Sequence, residues 1–210
     1  NRAGDFDIYT MAADGTDVVR LTSTTGDEGV FGISWSPDGT QIAYAANSAG
    51  NDHIFVLNLV DVSVTQLTTE SANDRYPTWS PDGTALAFES NRSGDFDIWR
   101  ISTDGSGATN LTDDLENDRF PAWSPDGESI AFASDRAGSL DIFVMPAVGG
   151  AAVRQTVHAA TDQFPAWSSD GAWIAFETNR DGDTEIYALP VAGDSEPVNL
   201  SRAAGDDWSP

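Results

Sequence analysis

The stretch Trp79-Ser80-Pro81-Asp82-Gly83 decides the fold, because it returns along the chain at a fixed interval. The same five-residue pattern begins at Trp35 and Trp123, and it begins again at Trp167 with Ser in place of Pro. Each step is 44 residues. Self-similarity at such an interval is the signature of a protein built from repeated structural units. We therefore predict that residues 1–210 form one repeat domain.

A second motif keeps the same interval and marks another part of each unit. The pattern Asn-Arg-x-Gly-Asp-x-Asp-Ile-aromatic, complete or loosened, starts at Asn1, Asn47, Asn91, Asp135 and Asn179. A Leu-Thr pair or a close variant follows each copy after 20 or 21 residues. The whole chain is therefore covered by the repeat, with no separate domain between the copies.

Each unit is predicted to contain four short strands, as residues 74–117 illustrate. Tyr76–Ser80 is followed by a Pro-Asp-Gly turn, since Pro favours the first central turn position and Asp-Gly the positions after it. Ala85–Ser90, Asp97–Ser102 and Ala108–Thr112 are the other strands. Four strands repeated at about 40–45 residues are typical of a β-propeller, whose antiparallel blades pack around a channel. We therefore predict an all-β propeller with blades of about 44 residues.

The chain represents five blades, because the repeat does not start and stop at a unit boundary. Counting from the Leu-Thr element aligns Asp207-Trp208-Ser209-Pro210 with Asp74–Pro77, although the last three residues look like a Trp-Ser-Pro copy. The predicted units are a partial one at 1–29, four complete ones at 30–73, 74–117, 118–161 and 162–206, and the start of another at 207–210. Three explanations remain open: a fragment of a longer chain, an incomplete ring, or an assembly in which a neighbour supplies the missing strand.

The combined pattern resembles the TolB-type β-propeller repeat, a Pro-Asp relative of the WD repeat. It reads Pro-x-Trp-Ser-Pro-Asp-Gly, Ile-Ala-Phe, Asn-Arg-x-Gly-Asp-x-Asp-Ile-Tyr, Asp-Gly and Leu-Thr, and it covers essentially the whole chain. The resemblance implies a propeller of bacterial periplasmic or secreted proteins, where such domains are docking platforms or gate a neighbouring serine peptidase. Propellers of this family often have six blades, so the five represented here would belong to a ring of about 264 residues.

The composition excludes several classes of function. The 34 acidic residues are 26 Asp and 8 Glu, the ten cations are all Arg, and the formal net charge is −24. Nucleic-acid binding and adhesion to anionic lipid need clustered cations, so neither is expected. With no Cys there is no disulfide or thiolate metal site. The longest apolar stretch, from Ile142 to Val153, contains Pro and two Gly, so membrane insertion is not expected either.

Catalysis within the chain is not expected. No Gly-x-Ser-x-Gly nucleophile motif occurs. The two histidines, His53 and His158, stand alone and far apart in sequence, and His53 occupies a position that other repeats fill with Asp or Glu. The four repeated Trp residues of the Trp-Ser motif are predicted to pack between blades rather than to bind a ligand.

The first candidate site is the loop before the inner strand of each unit. Inner strands line the channel, so these loops surround its mouth, where acidic groups could bind a basic group of a partner. In the alternative view each Asp caps its own loop or pairs with an Arg. The candidate residues for binding a partner are Asp27, Glu28, Asp74, Arg75, Asp118, Arg119, Asp162, Gln163, Asp207 and Trp208.

The second candidate site is the loop between the second and third strands, which lies on the same face. Oxygen-bearing side chains at alternate positions around a Gly resemble part of a calcium loop, although the distant Glu of the EF-hand is missing. The alternative is an Asx-type turn whose carboxylates bond within the fold. The candidate metal ligands are Asp5, Asp7, Asp95, Asp97, Asn179, Asp181, Asp183 and Glu185.

The leading hypothesis is a non-enzymatic binding scaffold outside the cytoplasm that docks a protein or peptide on the loop face around the channel, with calcium as a candidate cofactor. One alternative is the accessory propeller of a larger secreted hydrolase. Another is a propeller that self-assembles through its incomplete blade.

Overall fold

The computed structural model describes residues 6–23, 27–48, 50–192, 196–202 and 205–210. Its strands form four four-stranded antiparallel sheets and one two-stranded sheet. Within each large sheet the strands are hydrogen-bonded in chain order, first to fourth. The prediction of an all-β fold with four-stranded antiparallel blades is confirmed. No helix of the described residues is long and apolar enough to cross a membrane.

The strands divide the chain into a half-blade and four blades. The half-blade contains β1 (Tyr9–Thr10) and β2 (Val19–Arg20). Blade 1 contains β3 (Glu28–Trp35), β4 (Gln41–Ser48), β5 (Asn51–Asn58) and β6 (Val64–Gln66). Blade 2 contains β7 (Asp74–Trp79), β8 (Ala85–Ser90), β9 (Asp97–Ser102) and β10 (Thr109–Asn110). Blade 3 contains β11 (Asp118–Trp123), β12 (Ser129–Ser134), β13 (Asp141–Pro146) and β14 (Val153–Arg154). Blade 4 contains β15 (Asp162–Trp167), β16 (Trp173–Thr178), β17 (Glu185–Pro190) and β18 (Val198–Asn199).

The Pro-Asp-Gly turn closes the first hairpin of each blade by the same contacts. In blade 2 the Ser80 hydroxyl donates to Asp82 Oδ1 at 2.6 Å, and the Thr84 amide donates to the same oxygen at 3.0 Å. Gly83 has a φ of +71°, which a residue without Cβ adopts at little cost. Equivalent Ser–Asp bonds occur at Asp38, Asp126 and Asp170. A large share of the Asp residues thus serves turn structure.

Each inner strand contains a bulge that turns one residue into the left-handed region of backbone space. The register shifts between Arg75 and Thr78 in β7, and Tyr76 between them has a φ of 50°. The matching residues of the next two blades are Phe120 at 56° and Phe164 at 51°. Ser209 has a φ of 60°. This supports the alignment of Asp207–Pro210 with the start of an inner strand, because the same unusual conformation recurs at the aligned position.

The core lies between the blades. Side chains of the second and third strands interdigitate with those of the neighbouring sheet, as when Leu86 and Phe88 of blade 2 pack against Ala43 and Ile54 of blade 1. Similar clusters join blade 2 to blade 3 and blade 3 to blade 4. Burying such apolar area is the main favourable term in the stability of a repeat array.

The repeated tryptophans follow the predicted packing with one exception. The Trp79 indole donates to the Ser34 carbonyl at 3.2 Å and the Trp167 indole to the Ala122 carbonyl at 3.1 Å, each reaching the preceding blade. Trp35 is 51% exposed, so the expectation that it is buried is wrong. The cause is local: the half-blade before it supplies two outer strands but no inner strand for Trp35 to pack against.

Candidate binding site at the channel mouth

The inner strands of all four blades surround a channel of about 290 Å³. Its wall is formed by the bulge residue of each inner strand and the two residues that follow it, and by the last two residues of the chain. These lining residues are Gly32, Ile33, Ser34, Tyr76, Pro77, Thr78, Phe120, Pro121, Ala122, Phe164, Pro165, Ala166, Ser209 and Pro210. The wall is therefore mainly aromatic, Pro and small side chains.

Three aromatic rings meet at the channel because the bulge places each of them at the same height. The ring centroids of Phe120 and Phe164 are 3.9 Å apart, and Tyr76 meets Phe120 edge-on at 4.8 Å. Phe31 of blade 1 extends the group, 6.3 Å from Tyr76. Burial raises the pKa of the Tyr76 hydroxyl, so this ring presents a neutral phenol at physiological pH.

The predicted acidic residues at the start of the inner strands are buried. Asp74, Asp118 and Asp162 are each 0% exposed. Each is bonded to the Arg of the Asn-Arg motif in its own blade, 18 residues later, at 2.7–2.9 Å: the pairs are Asp74–Arg92, Asp118–Arg136 and Asp162–Arg180. Each pair ties the first strand to the loop after the second strand. These carboxylates are thus held inside the fold, and the adjacent Arg proposed from sequence is not their partner.

The residue after each of these acids is the one that reaches the mouth. Arg75 bonds Asp52 at 2.6 Å and stacks 4.0 Å above the Phe31 ring. Arg119 bonds Glu89 at 2.9 Å and lies 4.8 Å from the Phe96 ring centroid. Both guanidinium groups are partly exposed. In blade 4 the same position is Gln163, whose amide lies 3.4 Å from Glu177.

The remaining candidates differ in exposure. Asp27 is exposed and accepts the Phe6 amide at 2.8 Å, whereas Glu28 is buried opposite Ala46. The Asp207 amide donates to the Thr184 carbonyl at 2.7 Å, as the Asp118 and Asp162 amides do to Phe96 and Leu140. Trp208 is 61% exposed. The exposed part of the mouth therefore combines Trp208 with the partly exposed residues after the buried acids.

The candidate metal loop of blade 4 uses its polar side chains within the fold. Asn179 accepts the Thr161 amide at 3.1 Å. Asp181 accepts the Tyr187 hydroxyl, and Glu185 accepts the Asn199 amide group, while Asp183 is exposed.

The earlier copies of that loop differ from it. Asp7 is bonded to Arg20 at 2.7 Å, and Asp5 lies outside the described residues. Asp95 is half-buried beside the fully buried Asp97. Only one group of three possible ligands converges in the part of the chain that the structure describes, and it consists of Asp97, Asp114 and Asp118. Asp114 had not been predicted, because it lies in the loop after the fourth strand rather than in either candidate motif.

Four-stranded blades around a shared channel define the protein as a β-propeller. The sequence pattern of the TolB beta propeller domain matches residues 27–120 and 115–206, and the chain belongs to this family. A curated relative, the protein TolB homolog of Chlorobium luteolum, is 41% identical over 56 residues. That match covers 27% of this chain and 12% of the relative, well under two thirds of its length.

Solved structures show the same fold. The putative TolB of Agrobacterium tumefaciens is 28% identical with a TM-score of 0.80, over 91% of this chain and 68% of that one. TolB of Acinetobacter baumannii is 23% identical with a TM-score of 0.75, over 87% of this chain and 46% of that one. A puromycin hydrolase is 16% identical with a TM-score of 0.67, over 85% of this chain and 30% of that one. The last two show the fold alone.

Proposed function

We propose that the protein is a non-enzymatic docking scaffold, located outside the cytoplasm, that binds an extended protein segment at the channel mouth. The observation that supports this most is the aromatic group of Tyr76, Phe120 and Phe164, which forms an apolar entrance bordered by Arg75 and Arg119. Aromatic residues and Arg are enriched among the residues that dominate binding energy at protein interfaces.

The chemistry of the mouth favours a particular kind of segment. The channel accepts an apolar side chain, because its wall is built from aromatic rings, Pro and Ala. The charges of Arg75 and Arg119 are already balanced by Asp52 and Glu89, so these residues offer planar faces rather than free cations. The net charge of −24 attracts a basic partner at long range. We therefore propose a segment with one apolar side chain between basic residues.

The acidic residues predicted to select the partner would then act indirectly. Asp74, Asp118 and Asp162 hold their blades in shape through Arg pairs, and the residues after them form the binding surface. Rigid loops around a channel suit this role, since little conformational entropy is lost when the partner binds.

A displayed library of random linear peptides tests the proposal. We expect enriched peptides to carry an aromatic or aliphatic residue flanked by Lys or Arg, and to bind the purified chain in calorimetry. Trp208→Ala should weaken them at least tenfold, because Trp208 is an exposed aromatic at the mouth.

The matched control is Trp173→Ala, which removes an indole that is 43% exposed at the start of β16, away from the channel lining. Its peptide affinity should equal that of the unmodified chain. Failure to enrich any binder, or equal losses in the two variants, would argue against docking at the mouth.

A further inference from the structure

Three carboxylates converge where blade 2 meets blade 3. Asp97 begins β9, Asp118 begins β11, and Asp114 lies in the loop between β10 and β11. One oxygen from each lies within 4.8 Å of the others. Asp97 and Asp118 are 0% exposed, whereas the side chain of Asp114 is 33% exposed. The group is therefore a buried acidic cluster with one side open to solvent.

The cluster carries more negative charge than its protein partners balance. Arg136 bonds Asp118 at 2.7 Å and Asp114 at 2.8 Å, and it is the cation printed for both. Asp97 receives neutral donors only, from Ser93 and Asn110, both on Oδ2. Its Oδ1 is buried and has no hydrogen-bond partner among the described residues. Three carboxylates and one guanidinium leave two uncompensated negative charges.

The next repeat provides an internal comparison, because the same positions recur 44 residues later. There Asp141 is bonded to Arg154 at 2.7 Å, and Asp162 to Arg180 at 2.9 Å. His158 stands where Asp114 stands in the cluster. Arg154 replaces Asn110, and each replacement adds one positive charge relative to blade 2. That site is balanced without any ligand.

The half-blade shows the same balanced arrangement. Asp7 is bonded to Arg20, which lies 13 residues later, as Arg154 lies 13 residues after Asp141. Blade 2 keeps the Asp at this position and has lost the Arg. A buried carboxylate without a cation is costly, so the missing charge must be supplied in another form.

We propose that a calcium ion binds between blades 2 and 3, held by the carboxylates of Asp97, Asp114 and Asp118. Two positive charges match the deficit. Calcium prefers carboxylate oxygens and tolerates irregular geometry, and water can complete its coordination on the open side at Asp114. The site is separate from the channel mouth and does not depend on the proposed docking function.

The electrostatics of the empty cluster agree with this assignment. Burial raises the pKa of Asp118 to about 6. Burial also raises the pKa of Asp97, and the negative charges of Asp95 and Asp114 raise it further. Neighbouring negative charges of this kind are relieved when a cation arrives. The bound ion would join two blades that the pairs within each blade do not connect.

Calorimetry with calcium chloride after chelation tests the site, at constant ionic strength and with magnesium chloride as comparator. We expect a stoichiometry near one and a rise in Tm of several degrees at saturation, because a ligand that binds only the folded state stabilises it. Asp114→Asn should weaken binding at least tenfold, since it removes the accessible ligand and leaves the buried pair intact.

Two further variants make the test decisive. Asn110→Arg combined with Asp114→His installs the residues of the next repeat, so this variant should fold without calcium and show no calcium-dependent change in Tm. Asp113→Asn removes an exposed neighbouring carboxylate and should bind calcium like the unmodified chain. No heat and no Tm shift in the unmodified chain would overturn the proposal. So would calcium binding that Asp114→Asn and the double variant leave unchanged.

Discussion

Arg119 and Glu89 join two neighbouring blades across the channel mouth. Arg119 Nη2 in β11 donates to Glu89 Oε1 in β8 at 2.9 Å, and the Phe120 amide donates to Oε2 at 3.2 Å. Glu89 is 0% exposed, and burial raises the pKa of its carboxyl above the usual range. One buried carboxylate thus fixes both the guanidinium and the left-handed backbone turn beside it.

Removing that carboxylate should destabilise the propeller. We expect Glu89→Ala to lower the free energy of unfolding by about 2 kcal/mol, because it leaves a partly buried guanidinium and a buried amide without their acceptor. Alanine itself fits, since the equivalent residue of blade 3 is the buried Ala133. Denaturant midpoints would measure the change.

The control for this prediction is Glu89→Ala combined with Arg119→Gln. This pair reproduces Ala133 and Gln163 of the next repeat. The double variant should recover part of the loss, because no unpaired cation remains. A double variant as unstable as Glu89→Ala would show that the guanidinium does not cause the loss.

The Pro-Asp-Gly turns should govern stability in acid. The Ser hydroxyl two residues earlier, followed by the local amide, holds the pKa of Asp38, Asp82, Asp126 and Asp170 below the model value of 3.8. A depressed folded-state pKa contributes stability above the unfolded pKa, and this is lost as the pH falls through the folded pKa. We expect the denaturant midpoint to fall below about pH 4.

Asn at all four turn positions keeps the acceptor oxygen but cannot titrate. The difference in stability between the unmodified chain and this fourfold variant should therefore shrink as the pH falls below 3.8. A difference that stays constant from neutral pH to pH 3 would contradict the assignment of the acid response to these turns.

The bulge residues should tolerate branching at Cβ poorly. Phe164 has a φ of 51°, and β-branched side chains rarely adopt such a conformation. We expect Phe164→Ile to be less stable than Phe164→Leu by about 1 kcal/mol, although the two side chains have the same volume. Phe176 in β16 provides the control, because its regular strand backbone accepts Ile as well as Leu. Equal stability of the Phe164 pair would show that the bulge imposes no such restriction.

Exposed apolar side chains should make the chain self-associate. Ile33 and Trp35 of blade 1 are 53% and 51% exposed, and Leu200 after blade 4 is 59% exposed, at positions that lie against a neighbouring blade elsewhere. We expect sedimentation velocity to show a concentration-dependent increase in mass, which Trp35→Arg with Leu200→Arg abolishes. Val148→Arg, at a turn residue that is 86% exposed, should leave it unchanged. A single monomeric species over a hundredfold range of concentration would refute this prediction.

The repeat interval was sufficient to predict the blades and their strands. Ala85–Ser90 and Asp97–Ser102 are strands with the predicted bounds, since alternating apolar residues and turn signals act locally. The alignment of Asp207 with Asp74 also agrees with the hydrogen bonds at the last residues. These features depend on short-range chemistry that each repeat states again.

Contacts between distant residues were less predictable. The partner of Asp74 is Arg92 rather than the adjacent Arg75, because a hairpin brings the loop after β8 back to the start of β7. The exposure of Trp35 depends on which neighbouring strands exist, and no local pattern carries that information. The Asp97–Asp114 approach joins loops that follow different strands, so it required the folded chain.

The bulge places one residue of each inner strand on the channel wall through its backbone conformation, whatever its side chain. The five aligned positions hold Gly32, Tyr76, Phe120, Phe164 and Ser209, all with positive φ. The residues that pack one blade on the next lie elsewhere, on the second and third strands. Selection can therefore alter what the channel admits by single substitutions at 44- or 45-residue intervals, while the packing that holds the array together stays as it is.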